Sequence, residues 1–198
     1  MNPIDKALLH ILQRCGLIAI LRGVQSHEVV AIGHALYDAG FRIIEVPLNS
    51  PEPLASIRAL RDALPADCLV GAGTVLSIDA VADVAAAGGQ IIVMPHSAPD
   101  VIRAARAAGM ACAPGVATLT EAYAALAAGA NMLKLFPAEA LPPHVLKAWR
   151  AVITPPMALV PVGGIVPESI APYAAAGASG SGELSGTSMM RKPASYSA

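Results

Sequence analysis

The apolar positions of this 198-residue chain fall into short unbroken runs separated by alanine-rich segments with a helical period. An opening helix is expected over about 3–14. Strands are expected near 17–22, 42–47, 68–73, 90–94, 110–114, 131–136 and 158–162, with an eighth attempted near 179–184. The runs are continuous rather than alternating, as in strands buried on both faces of a parallel sheet. A short phrase marks the junctions: "DAGF" at 38–41, "AAGGQ" at 86–90, "AAGM" at 107–110, and "AAGA" at 127–130 and 175–178. Its glycine is the left-handed residue that closes a helix, and the next strand follows. Gly88, Gly109 and Gly129 stand about one short helix and strand apart, a repeat of βα units. Eight such units in about 200 residues predict a compact (β/α)8 TIM barrel with an extra N-terminal helix. An open doubly wound sheet fits less well, because no G-x-G-x-x-G follows the first strand. No linker interrupts the chain, so 1–198 is expected to be one domain.

Composition narrows the partners. Hydrophobic residues make up 55% and charged residues 14%, enough for a sizeable core and against disorder. Fourteen acids nearly cancel thirteen bases and no basic run stands out, which disfavours nucleic acid and anionic membranes. The apolar stretches are too interrupted to span a bilayer, and polar residues break the N-terminal segment as a signal peptide. Three widely spaced cysteines suit reduced, buried thiols in a cytoplasm. The five histidines lack metal-site spacing, and only His96, at a strand end, is kept as a site neighbour.

In a barrel, chemistry gathers where strands end. Here those ends read "ILRG" (Arg22), "IIEVPLNS" (Glu45, Asn49), "GAGT" (Thr74), "VMPH" (Pro95), "APGVAT" (Thr118), "LKLFPAE" (Lys134, Phe136) and "PVGG" (Gly163, Gly164). Lys134 sits alone in an apolar strand. Desolvation would lower its pKa and make the amine a Schiff-base nucleophile, or its stem packs while its head reaches solvent. Glu45 is a second embedded charge, either a proton shuttle or an ion-pair partner of Lys134. Arg22 can fork onto a carboxylate or phosphate. The Gly-Gly turn ahead of "PES" offers backbone N–H groups to a phosphate, though such a pair also makes an ordinary tight turn.

Taken together, "IAILRG", "IIEVPLNSP", "GAGTVL", "APGVATLTEA", "LKLFPAE" and "PVGGI" resemble the class I pyruvate-dependent aldolases that cleave 2-keto-3-deoxy-6-phospho sugar acids. The likeness runs from about 17 to 180. It implies Lys134 as the Schiff-base lysine and Glu45 as the acid/base acting through a water. It also implies Arg22 and Thr74 at the substrate carboxylate, Phe136 and Pro95 as pocket walls, and Gly163, Gly164 and Ser185 at the phosphate. Asn49 and Val162 stand where the gluconate-specific members carry arginine and threonine, which looks like the galactonate form. The resemblance further implies no cofactor and no metal, a small phosphorylated keto acid as partner, and a homotrimer. Rival functions are a phosphosugar isomerase or epimerase on the same barrel, another 2-keto acid aldolase of the family, and a non-catalytic sugar-phosphate binder. The end of the chain departs from the pattern: "GASGSGELSGTSMMRKPASYSA" puts Glu183 in an apolar sheet and Leu184 where a glycine is expected. The tail 181–198 is therefore expected to be irregular, with phosphate held mainly by Gly163 and Gly164.

Overall fold

The structure, a computed structural model, describes residues 3–184. The chain opens with helix α1 (Pro3–Arg14) and then alternates strands and helices: β1 (Leu17–Ile20), α2 (Val29–Asp38), β2 (Ile43–Pro47), α3 (Pro53–Ala63), β3 (Leu69–Gly73) and α4 (Ile78–Ala86). It continues through β4 (Ile91–Val93), α5 (Pro99–Ala107), β5 (Ala111–Ala113), β6 (Gly115–Val116), α6 (Leu119–Ala127) and β7 (Met132–Leu135). A 3-10 turn (Ala138–Ala140), α7 (Pro143–Trp149), β8 (Ala158–Pro161), α8 (Pro167–Ala175) and β9 (Ser181–Leu184) complete it.

Every strand pairing is parallel. One sheet runs in the order β5-β4-β3-β2-β1-β9 and a second in the order β6-β7-β8. The sheets adjoin at two places. Pro114 alone separates β5 from β6, and its carbonyl accepts from Lys134 N–H at 2.9 Å. At the other side an isolated parallel bridge joins Val162 to Gly182.

The strands are buried on both faces, which is why their sequences do not alternate. Ile18, Ile43, Leu69, Ile91, Ala111, Met132 and Ala158 pack on one face, and Leu8, Ile11 and Leu12 of α1 join them. Ala19, Ile44, Val70, Ile92, Leu133 and Leu159 pack on the other, against the helices. Cys68 and Cys112 lie in that second layer, where burial pushes their thiols up to about 11 and about 12. Cys15 is half-buried, and all three are free.

Helix α1 is tied down by polar contacts. Arg106 of α5 donates to both Asp5 oxygens at 2.7 and 2.9 Å and to the Met110 carbonyl at 2.8 Å. Asn131, just before β7, donates to Asp5 at 2.7 Å and accepts from Cys112 N–H at 2.8 Å.

Two expectations change. The fifth expected strand, 110–114, is found as Ala111–Ala113, and beyond Pro114, which has no N–H to give to a ladder, an unexpected short strand β6 follows. The start of the tail is not irregular, since Ser181, Gly182, Glu183 and Leu184 pair in register with Leu17, Ile18, Ala19 and Ile20, and the rest, 185–198, lies outside the described residues. Backbone hydrogen bonding does not depend on side-chain polarity, and small residues let the two chains close up. A Cβ on Gly16 would come within 2.6 Å of Gly180 Cα, and Ser181 N–H reaches Gly16 O at 2.8 Å. Ser185, expected at the phosphate, lies outside the described residues.

Candidate active site

Glu45 and Lys134 share strand parity with Ile43 and Met132, so both fall on the inner face. They are 2% and 8% exposed, the two charged side chains among the buried described residues. Burial pushes the Glu45 carboxyl up to about 7, against the opposing pull of Lys134, Arg22 and a hydrogen bond from Gly73 N–H. Lys134 is displaced the other way: burial lowers it, Glu45 raises it, and Arg22 lowers it again. Each charge therefore feels the other, and desolvation outweighs the attraction at both. Gly73 is required for this approach, since a Cβ there would collide with both Glu45 oxygens. One of those oxygens, Oε2, has no protein hydrogen-bond partner. Lys134 Nζ lies 4.3 Å from the centroid of the Phe136 ring, so an apolar wall flanks the amine.

Arg22 sits just beyond β1 and is exposed. Its Nη1 donates to Asn49 Oδ1 at 2.8 Å, which fixes the guanidinium while it acts on both buried charges. Thr74 follows β3 with φ at 57°. A β-branched residue in the left-handed region is strained, and such strain collects at functional sites. Pro95 and Phe136 are half-buried at their strand ends. Gly115 lets β6 approach Pro95, because a Cβ there would stand 2.5 Å from the Pro95 carbonyl oxygen. Val162 is buried and packs against Gly182.

Gly163 and Gly164 follow, with φ of 97° and 64°. The N–H groups of Gly164 and Ile165 donate to no protein group among the described residues, while Gly163 adjoins the parallel bridge between Val162 and Gly182. Two amides without a partner among the described residues, just ahead of α8, could receive an anion. Glu139 was not singled out from sequence, yet its carboxylate lies on this turn. A Cβ on Gly164 would meet its Oε1 at 2.6 Å, and one on Gly163 would meet its Oε2 at 3.0 Å. Glu139 falls inside the "LKLFPAE" motif, two residues past a proline, but nothing in the sequence pairs it with the glycines.

Two strand-end residues do other work or stand aside. Thr118 caps α6, accepting from Glu121 N–H at 3.2 Å in a capping box. His96 is exposed beside Pro95. No group of His, Cys, Asp and Glu among the described residues is placed to hold a metal ion, and no helix there is long and apolar enough to cross a membrane.

A desolvated amine that interacts electrostatically with a desolvated carboxyl, toward the carboxyl edge of parallel strands, is equipment suited to carbonyl chemistry. The family model of the KDPG and KHG aldolases matches residues 8–194, and the chain belongs to this family of aldehyde-lyases. It is 47% identical over 166 residues to the 2-dehydro-3-deoxy-6-phosphogalactonate aldolase of Escherichia coli (strain K12), covering 84% of this chain and 81% of that one. A solved structure of native KDPGal superposes with a TM-score of 0.84 at 45% identity, over 90% of this chain and 86% of that one. A cube-shaped, highly porous cage designed by fusing symmetric oligomeric domains superposes at 0.83 and 46% identity. There the match covers 86% of this chain but spans 63% of the cage's chain.

Proposed function

We propose that this chain is a Schiff-base aldolase that cleaves 2-dehydro-3-deoxy-6-phosphogalactonate to pyruvate and glyceraldehyde 3-phosphate, in galactonate breakdown in the cytoplasm. The observation that carries the mechanism is the buried Lys134–Glu45 pair, each displaced toward its neutral form. A neutral Lys134 amine adds to the C2 ketone and loses water, leaving a protonated imine. The Glu45 carboxylate, through a water, takes the C4 hydroxyl proton. The C3–C4 bond breaks, its electrons pass into the imine to give an enamine, and glyceraldehyde 3-phosphate departs. Protonation at C3 and hydrolysis then release pyruvate and restore the amine. No metal or organic cofactor enters these steps.

Arg22, with Asn49 behind it, and Thr74 hold the substrate carboxylate end, while Phe136 and Pro95 wall the pocket. The Gly163–Gly164 turn, with Ser185, takes the phosphate, and the amides of Gly164 and Ile165, without a protein partner among the described residues, support that role. Val162 offers no hydroxyl to a substrate oxygen, which suits the galactonate epimer and agrees with the name of the relative at 47% identity. We further read the chain as one domain with its strands in a closed (β/α)8 ring. The Val162–Gly182 bridge and the Pro114 hinge support closure. A homotrimer is the proposed assembly. It is supported by exposed Leu76, Ile78, Tyr123 and Val152, and by the use of a similar protein as a symmetric oligomeric domain.

The test is covalent. Borohydride with pyruvate is expected to add one reduced adduct per chain, on the peptide that contains Lys134, and Lys134→Ala is expected to abolish both adduct and cleavage. Trapping at another lysine, or none in active enzyme, overturns the assignment. An isomerase or epimerase needs no such lysine and would give no adduct.

A further inference from the structure

The peptide carrying Glu139 is fixed from two sides. Ala138 N–H donates to the Val162 carbonyl at 2.9 Å, and the Tyr173 hydroxyl of α8 donates to the carbonyls of Ala138 and Leu141 at 2.9 and 3.2 Å. The side chain is not fixed. Glu139 is exposed, and no hydrogen bond or ion pair holds its carboxylate among the described residues. Both oxygens nonetheless rest on the Gly163–Gly164 turn, where any side chain at 163 or 164 would crowd them. The start of α8 favours negative charge nearby, although the carboxylate accepts no hydrogen bond from the turn among the described residues. The same attraction would draw a phosphate. Two anions do not sit side by side on one small turn without cost, because like charges in contact repel.

We propose that Glu139 is a built-in competitor for the substrate's phosphate: its carboxylate occupies the Gly163–Gly164 turn and swings to solvent when a phosphate group arrives. The inference rests on the reading of that turn as the phosphate site. It adds a second consequence, since the returning carboxylate helps expel glyceraldehyde 3-phosphate. Glu139 thus sets how tightly the enzyme holds phosphorylated ligands without touching the reacting carbons.

The probe is inorganic phosphate, measured as a competitive inhibitor of cleavage by wild type, Glu139→Gln and Gly164→Ala. Removing one unit charge about 4 Å away is expected to strengthen phosphate inhibition about fivefold in Glu139→Gln, and less as salt is raised. KM for the phosphorylated substrate should fall in step, while KM for a non-phosphorylated 2-keto-4-hydroxy acid stays put. A merely structural role would move both substrates. If phosphate competes in wild type, and loses that ability in Gly164→Ala, but Glu139→Gln binds it no more tightly, the proposal is overturned and the phosphate site stands. If phosphate competes in neither wild type nor Glu139→Gln, the phosphate reading itself fails and the proposal falls with it.

Discussion

Glu45 shows how one buried side chain can favour stability and activity at opposite ends of the pH scale. Its carboxyl is raised from 4.5 to about 7, chiefly by burial. A carboxyl raised on folding adds stability below its ordinary value and loses that contribution as pH rises through about 7. The proposed chemistry needs the ionised form, so kcat/KM for cleavage should fall as pH drops through the same value. Glu45→Gln is expected to keep imine formation but lose turnover by roughly a hundredfold or more. It should also erase the acidic limb of the pH profile. A variant that retains near-wild-type cleavage would leave Glu45 as an ion-pair partner only. The sequence made Glu45 and Lys134 conspicuous because each is a charge in an apolar strand. It gave no such clue for Glu139, whose meaning depends on a turn 24 positions away in the chain.

Elements were more legible than contacts. Continuous apolar runs located the strands to within a residue or two, because burial on both faces leaves no polar alternation to confuse them. The fifth run was expected to end at Pro114, and the two-residue β6 that resumes after it, Gly115–Val116, was too short to leave a pattern of its own. The last strand was misjudged for a different reason: Glu183 looked unfit for a sheet, yet the pairing of Ser181–Leu184 with β1 is made by backbone. The anchoring of α1 was also invisible, because Asp5 and Arg106 stand 101 positions apart. Their side chains are 19% and 18% exposed. Arg106→Ala should destabilise the fold by about 2–3 kcal/mol, the range for losing a half-shielded charged hydrogen-bond set. Chemical denaturation measures it. Hydrogen exchange in the same variant should rise first in α1, and a loss below about 0.5 kcal/mol would show the anchor to be idle.

At the scale of the whole molecule, the polar chemistry lies at the carboxyl ends of the strands, while α1 packs on the interior layer with the Asp5 anchor beneath it. The proposed catalytic pair and the anchor are thus separated in space, and Arg106→Ala should lower stability with little change in kcat. The surface is less self-sufficient. Leu76, Ile78, Tyr123, Val152 and Val166 are large apolar side chains open to water. Sedimentation equilibrium at micromolar concentration is expected to give three chain masses, and a monomer would overturn the trimer. Whether any of these residues meets a partner was beyond the sequence, since an exposed leucine has the same local pattern whether or not a neighbour covers it.

The left-handed backbone at Thr74 sets a limit on how far this enzyme can be optimised. Holding a β-branched residue at φ 57° costs about 1–2 kcal/mol that glycine would not incur. Thr74→Gly removes that strain and, with it, the hydroxyl proposed to meet the substrate carboxylate. Its melting temperature should rise by a few degrees, less what the added freedom of glycine in the unfolded chain takes back. Its KM for the sugar acid should rise at the same time. A thermostability screen that ignores turnover would therefore select against the enzyme's own specificity at this position, and a library that pairs both readouts would find the two traits pulling apart.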